Sequence, residues 1–194
     1  EQHYDIGNNV FESMLDPYMN YSCGYWDSAG NLEQAQIAKM QMICAKLKLE
    51  PGMQVLDLGC GWGGLSCWMA ERHGVHVTGV TVSKEQAQLA RERCVGLPVT
   101  IEVRDYREQD GEFDRIVSVG MFEHVGQRNY RTFFQKTCSL LKSEGRHYQD
   151  YLGLAKKAAK NESIDERIIM FAEAERQLIE QPDTEFRFHS GPVY

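Results

Sequence analysis

The segment VLDLGCGWGG, residues Val55 to Gly64, is the strongest indication of the fold in the sequence. It opens with a short, mostly apolar run typical of a buried strand, and an amphipathic segment from Leu65 to His73 follows it. Glycine has no Cβ, so Gly59, Gly61 and Gly63 let the backbone turn tightly and approach a ligand closely. The stretch therefore predicts a strand, a glycine loop and a helix. We expect the loop to hold a nucleotide-like ligand, with an ordinary tight turn as the alternative.

Strands and helices continue to alternate after this loop. Further strands are predicted at His76 to Val82, Val99 to Val103 and Asp114 to Gly120, and further helices near Ser83 and at Tyr130 to Lys142. Such alternation is typical of a Rossmann-like α/β fold, a parallel sheet with helices on both faces. On the amino-terminal side, the apolar spacing predicts a helix from Leu32 to Leu49 that ends at Pro51.

The sequence after Gly145 lacks a convincing fifth strand. A capping box at Ser163 and Glu166 and an apolar stripe that includes Phe171 predict helix there, with a stop at Pro182. We therefore expect the C-terminal strands to be missing or replaced by helices. The fourth strand would then be an unpaired edge, which favours a homo-oligomer.

Composition excludes several classes of protein. The 194 residues, 42% hydrophobic and 25% charged, are those of a folded domain, and a net charge of −7 argues against nucleic-acid binding. No run reaches the roughly 18 apolar residues of a membrane span, and the first residues do not resemble an export signal. The six cysteines lack metal-ligand spacing, so we expect no metal site and mostly reduced, buried thiols in a cytoplasmic protein.

The polar residues at the strand ends narrow the choice of ligand. A dinucleotide site requires an acidic residue at the end of the second strand, but Thr81 stands there, and Asp57 is the acidic residue within reach of the loop. The loop resembles that of class I S-adenosylmethionine-dependent methyltransferases. In such enzymes a residue at the position of Asp105 accepts a hydrogen bond from adenine, with helix capping as the alternative role. Gln86 is placed to reach ribose hydroxyls, with simple solvation as the alternative.

A closer likeness is carried by four segments in order. HYDIGNNVFESMLDPYMNYSCGYW, LDLGCGWGG, GVTVSKEQ and DRIVSVGMFEHVG resemble the cyclopropane-fatty-acyl-phospholipid synthases, over about residues 2–145. The resemblance implies a methyltransferase fold and an enzyme that transfers a methylene from S-adenosylmethionine to cis double bonds of unsaturated phospholipids. It also implies a bound bicarbonate ion as proton acceptor, and peripheral contact with the inner membrane face.

The family's site residues can be placed on matching positions of this chain. Cys23 and Glu123 correspond to residues that cradle the bicarbonate. The candidate cofactor-binding residues are Tyr21, Ser22, Asp57, Gly59, Gly61, Gly63, Thr81, Gln86 and Asp105. Taken one at a time, these side chains have alternative roles as core aromatics, a buried thiol or helix caps.

The resemblance implies three parts and leaves two other functions open. Residues 1–50 are expected to form a helical cap that covers the cofactor, residues 51–145 the S-adenosylmethionine-binding core, and residues 146–194 a divergent, mostly helical tail. The family has a histidine on its fifth strand and an amino-terminal region, and this sequence shows a match to neither; His147 and Tyr148 lack a strand context and receive no role. The alternatives are a non-catalytic binding or assembly domain and a methyltransferase acting on a soluble small molecule.

Overall fold

A five-stranded parallel sheet lies at the centre of the fold. The structure is a computed structural model that describes residues 8–142 and 169–171. The strands follow the order β3-β2-β1-β4-β5, and every neighbouring pair is parallel. Their bounds are β1 Gln54–Leu58, β2 His76–Thr81, β3 Val99–Val103, β4 Arg115–Val119 and β5 Ile169–Phe171.

Six α-helices accompany the sheet in the described residues. They are α1 Asn8–Met14, α2 Leu32–Leu47, α3 Gly64–His73, α4 Lys84–Arg93, α5 Phe122–Val125 and α6 Tyr130–Leu140, with short 3₁₀ turns at Tyr106–Glu108 and Gln127–Asn129. Side-chain caps begin two of them: Asn31 accepts from the Gln34 amide at the start of α2, and Ser83 from the Gln86 amide at the start of α4. The predicted strands and helices up to Leu141 are therefore confirmed to within about two residues at each end.

The two faces of β1 belong to two different hydrophobic clusters. Val55 packs with residues of α2 and α3, including Met40 and Trp68. Leu56 points to the other face and packs with Phe133 of α6. Neighbouring residues of a strand face opposite sides of the sheet, so a strand covered on both sides is apolar along its length. The predicted Rossmann-like fold, with helices on both faces, is confirmed.

The strand order creates a crevice beside β1. From β1 the chain moves outward through β2 to β3, and then crosses back to place β4 on the other side of β1. In open parallel sheets, ligands bind at the carboxyl ends of the strands where the order reverses in this way. The glycine loop after β1 and the segment after β4 meet at this point.

The prediction that no fifth strand exists is wrong. Ile169–Phe171 lies in the segment expected to be helical, but it forms β5 and pairs with Val117 to Val119 of β4. A short apolar run between charged residues is compatible with a buried strand as well as with a helix. A strand here pairs with the backbone N–H and C=O groups along the edge of β4, which a helix would leave unpaired. Consequently β4 is not an unpaired edge. The capping box at Ser163 and Glu166 and the stop at Pro182 lie outside the described residues.

The six cysteines fall into two groups. Four are free, namely Cys23, Cys44, Cys60 and Cys138, as expected for most of the set. The remaining two form a disulfide, Cys67–Cys94, which joins α3 to the residue that caps α4. Spacing along the chain gave no sign of this pair, because 27 residues separate its members and only the packing of the two helices brings them together.

Reduction of the Cys67–Cys94 bond is expected to lower the free energy of unfolding by about 3 kcal/mol, since the bond restricts a loop of this length in the unfolded chain. Urea denaturation with and without a thiol reductant measures the difference. Cys67→Ser should match the reduced protein and no longer respond to reductant, whereas Cys138→Ser should keep the response. Equal stability of wild type in both conditions would contradict the pairing.

Candidate functional site

The glycine loop leaves β1 through three residues in the left-handed region. The φ angles are +80° at Gly59, +54° at Gly61 and +80° at Gly63, values that residues with a side chain rarely adopt. The amides of Gly59 and Cys60 both donate to the carbonyl of Val80 on β2, at 2.9 and 3.0 Å. These bonds fix the loop to the neighbouring strand end.

The three glycines differ in what surrounds them. A Cβ at Gly59 would lie 2.8 Å from that of Met121, and one at Gly63 would lie 3.0 Å from that of Ala90. A Cβ at Gly61 would meet no atom within 4 Å among the described residues. Gly59 and Gly63 are therefore required by close packing, while Gly61 borders open space on the face where a ligand would lie.

Asp57 lies near the end of β1, just before the glycine loop, and is hydrogen-bonded to the helix that follows the loop. Its carboxylate is 2% exposed and accepts a 2.7 Å hydrogen bond from the hydroxyl of Ser66 on α3. Burial raises the pKa of Asp57 to about 6, although the bond from Ser66 acts in the opposite direction. This residue joins the strand before the loop to the helix after it.

A second set of polar groups lies at the end of β2. The hydroxyl of Thr81 donates to Oε1 of Gln86 at 2.9 Å and accepts from the amide of Ser83 at 3.2 Å. Gln86 is buried, so the alternative of simple solvation does not describe it. Its Nε2 has no hydrogen-bond partner among residues 8–142. Gln86 is thus held through one amide atom and can donate through the other.

Asp105 follows the carboxyl end of β3, as the glycine loop follows that of β1. Its carboxylate caps the turn at Tyr106–Glu108 by accepting from the Arg107 amide, so the capping role is confirmed. The Arg107 guanidinium also binds both carboxylate oxygens, and this contact holds the pKa of Asp105 below its usual value. Oδ1 of Asp105 accepts two of these bonds and Oδ2 accepts one, so a lone pair of Oδ2 remains for another donor.

The aromatic segment before α2 lies against the glycine loop. The Tyr21 ring is 56% exposed and contacts Phe11 of α1 and Trp62 of the loop, with ring centroids 5.3 and 6.4 Å apart. Trp62 itself is buried against Phe11, 4.7 Å between centroids. The next residues are a half-buried Ser22 and an exposed free thiol at Cys23.

Glu123 lies in α5, directly after β4. Its backbone is two residues from Met121, which packs against Gly59, so the segment that carries Glu123 borders the glycine loop. The side chain of Glu123 lies outside what the structure describes, and its distance from Cys23 stays a prediction.

Reasoning from the sequence missed two side chains of this region. Gln36 and Lys39 of α2 both donate to Ser22, the former to its carbonyl and the latter to its hydroxyl. A signal was present, since both lie on the buried stripe of α2 where apolar residues are the rule.

Comparisons with known proteins identify the family of this chain. The family model for mycolic acid cyclopropane synthetase matches residues 1–173. The chain belongs to this family. It is 60% identical over 145 residues to the cyclopropane-fatty-acyl-phospholipid synthase of Escherichia coli strain K12, a match that covers 75% of this chain and 38% of that protein. The predicted membership of the cyclopropane synthases is therefore confirmed.

Solved structures show the same fold. The crystal structure of the mycolic acid cyclopropane synthase CmaA1, complexed with SAH and CTAB, is 37% identical with a TM-score of 0.70, covering 73% of this chain and 52% of that one. Coclaurine N-methyltransferase, bound to N-methylheliamine and SAH, is 28% identical with a TM-score of 0.67, covering 72% of this chain and 43% of that one. The chain spans between about two fifths and half of the length of these relatives.

The described residues fit S-adenosylmethionine. Gly61 leaves room beside the loop, Gln86 offers a donor beside it, and Asp105 offers an acceptor at the next strand end. Val82 and Val103 are exposed at the same sheet edge and provide apolar surface for a base. An uncharged nucleoside joined to an amino acid requires this mixture of apolar and hydrogen-bonding groups.

Gly61→Val is expected to weaken binding of S-adenosylhomocysteine by at least about tenfold, because the branched side chain would occupy the open space beside the loop. Calorimetric titration measures the affinity. Gly96→Val is the matched control, since Gly96 also has a positive φ (+82°) and no described atom lies within 4 Å of an added Cβ. Gly96 precedes β3, so it lies at the amino end of a strand, whereas the glycine loop follows the carboxyl end of β1. Equal affinities of the two variants would contradict the placement of the ligand.

Asp57→Asn is expected to change how stability depends on pH. A folded-state pKa near 6, above the ordinary 3.8, means that protonated Asp57 stabilises the fold below pH 3.8 and that this contribution is lost as pH rises through 6. The variant should therefore gain stability relative to wild type, by up to about 3 kcal/mol, between pH 3.5 and 7.5.

Urea denaturation of the ligand-free protein at several pH values tests this expectation. Asp110→Asn provides the control, because Asp110 is exposed and lacks the burial on which the expectation for Asp57 depends. A difference between Asp57→Asn and wild type that stays constant with pH would show that burial does not perturb the Asp57 carboxyl.

Proposed function

We propose that the protein transfers a methylene group from S-adenosylmethionine to cis double bonds in the acyl chains of unsaturated phospholipids. The observation that carries the proposal is the 60% identity to a cyclopropane-fatty-acyl-phospholipid synthase over 145 residues. The family model matches residues 1–173, a range that contains every predicted site residue. The open face at Gly61 and the SAH complex of the related mycolic acid cyclopropane synthase support it.

Cofactor binding is assigned to the residues at the sheet edge. When bound, S-adenosylmethionine supplies an electrophilic methyl group. Gln86 donates to the ribose from an amide that Thr81 holds in place, and Asp105 accepts from the adenine amine. Tyr21 and Ser22 close the site from the amino-terminal side, where the Tyr21 ring already contacts the loop.

The proposed methyl acceptor is an alkene, which the site has to position because no side chain can activate it beforehand. An alkene has no acidic proton, so a general base cannot activate it in advance, and the chain has to hold it in line with the methyl group and exclude water. The exposed Tyr21 ring, which packs on the buried rings of Phe11 and Trp62, offers an apolar surface beside the loop that suits this task. A proton must leave the transferred carbon before the three-membered ring closes.

We propose that Cys23 and Glu123 hold the bicarbonate ion that serves as base. The exposed Cys23 thiol follows the segment that contacts the glycine loop, and the backbone of Glu123 lies near the same loop through Met121. Residues 1–50 then act as the cap, 51–145 as the cofactor-binding core and 146–194 as the tail.

Access to lipid is assigned to peripheral contact at the inner membrane face, since the proposed substrate is a membrane phospholipid. Within residues 8–142 and 169–171, no helix is long and apolar enough to cross a bilayer. A soluble small-molecule acceptor is the second candidate, because coclaurine N-methyltransferase shares the fold at 28% identity. The assembly domain loses its main support, since β5 covers the edge of β4.

Glu123→Gln is expected to abolish product formation without changing the midpoint of thermal unfolding, because it removes the carboxylate proposed to hold the base. The assay incubates the full chain with S-adenosylmethionine, bicarbonate and vesicles of a monounsaturated phospholipid, and detects acyl chains heavier by one methylene by mass spectrometry. The exposed Glu112 supplies the control Glu112→Gln, which should keep full activity. Undiminished activity of Glu123→Gln would refute the assignment of the proton acceptor.

A further inference from the structure

Two polar side chains occupy the buried stripe of α2. Gln36 is 2% exposed and Lys39 is 4% exposed, on the same helix face as the core residues Met40 and Ile43. Burial of an ammonium group or an amide is unfavourable unless hydrogen bonds compensate for the lost water. Side chains of this kind in a core face therefore indicate a specific task.

Both side chains bind the same residue. Nε2 of Gln36 donates to the carbonyl of Ser22 at 2.8 Å and, at 3.4 Å, to that of Asn20. Nζ of Lys39 donates to the hydroxyl oxygen of Ser22 at 2.7 Å. One contact fixes the backbone of Ser22 and the other fixes its side chain.

The ammonium contact determines what the Ser22 hydroxyl can do. A hydroxyl carries one proton to donate and two lone pairs to accept with, and an ammonium group can only donate. One lone pair of Ser22 is therefore used by Lys39, while its own proton has no acceptor among the described side chains and backbone groups, which do not include the side chain of Glu123. A hydroxyl that accepts from a cation becomes a stronger donor, because hydrogen bonds in a chain polarise one another.

The surroundings of Ser22 place this donor near the cofactor site. The preceding turn is tied by the buried Asp16, whose carboxylate accepts from the amides of Tyr18 and Asn20. The following residues are held by the amide of Tyr25, which donates to the carbonyl of Ala35 on α2. Tyr21, the neighbour of Ser22, contacts the Trp62 ring of the glycine loop. Ser22 is thus rigidly presented one residue from that contact.

We propose that Lys39 acts through Ser22 to recognise the carboxylate of the amino-acid half of the cofactor, with Gln36 holding the Ser22 backbone in place. Lys39 and Gln36 are positioning residues, and the Ser22 hydroxyl is the group that touches the ligand. The inference rests on the proposed function, because it requires a ligand that joins a nucleoside to an amino acid. The inference places the side chains that position the recognising hydroxyl on α2, outside the α/β core.

A pair of ligands that differ in the carboxylate isolates this role. S-adenosylhomocysteine carries the amino-acid carboxylate, whereas 5′-methylthioadenosine has the same nucleoside and sulfur without it. Lys39→Met should weaken binding of S-adenosylhomocysteine by up to about tenfold, because the Ser22 hydroxyl loses the cation that holds and polarises it and its hydrogen bond to the carboxylate weakens. The affinity for 5′-methylthioadenosine should stay within about twofold. Lys46→Met on the same helix is the control, expected to change neither affinity.

Two further variants make the test independent of how well Lys39→Met folds. Ser22→Ala removes the half-buried hydroxyl alone and should show the same selective loss. Lys39→Arg keeps a donating cation and should recover part of the lost affinity. The Lys39→Met, Ser22→Ala double variant should bind no more weakly than either single one, because both changes interrupt one path. Thermal unfolding of each ligand-free variant is recorded in parallel.

The outcomes separate this inference from the proposed function. If wild type binds both ligands and Lys39→Met or Ser22→Ala loses affinity for both equally, or for neither, recognition of the carboxylate through Ser22 is refuted while the proposed function stands. Additive losses in the double variant would refute the path from Lys39 to Ser22. If folded wild type binds neither ligand, the proposed function itself fails, and this inference fails with it.

Discussion

The hydrogen bond between Ser66 and Asp57 is the interaction on which the site depends. The chain has to leave β1, pass through three glycines with positive φ angles and enter α3 within a few residues, and a glycine loop is the least rigid way to connect two elements. The bond closes the base of this loop by joining the strand to the helix. Burial raises the pKa of Asp57, so an ionised carboxylate is unfavourable in this position, and the hydrogen bond from Ser66 offsets part of that cost.

The segment before α2 also packs against the loop and the helices beside it. The guanidinium of Arg93 on α4 donates to the carbonyl of Pro17 at 2.6 Å, and the carbonyl of Tyr18 lies so close to Gly64 that a Cβ there would overlap it. Phe11 and Trp62 bury their rings against each other on the same side. Residues before α2 and residues of the α/β core therefore form one packed unit. A substitution in the segment before α2 is expected to displace the glycine loop, because packed interiors transmit small displacements.

Much of this architecture could be predicted from the sequence, because it depends on local signals. Apolar runs with flanking glycines predicted β1 to β4. Apolar residues three or four positions apart predicted α2, close to its observed end at Leu47. The features that were missed depend on contacts between distant residues. The three residues of β5 form a strand because the edge of β4 is available, and Cys67 meets Cys94 because α3 lies beside α4. Gln36 and Lys39 could have been noticed as polar residues on an apolar stripe, but their shared partner is 14 to 17 residues away and only the fold identifies it.

If the loop after β1, held by Asp57 and covered by the segment around Tyr21, is a working cofactor site, the purified chain binds S-adenosylhomocysteine. Calorimetric titration with this ligand, together with thermal unfolding in its presence and absence, measures that binding. We expect one ligand per chain and a higher unfolding midpoint with ligand, since binding to the native state alone stabilises it. A folded chain that releases no heat of binding and keeps the same midpoint would show that the loop does not hold the cofactor.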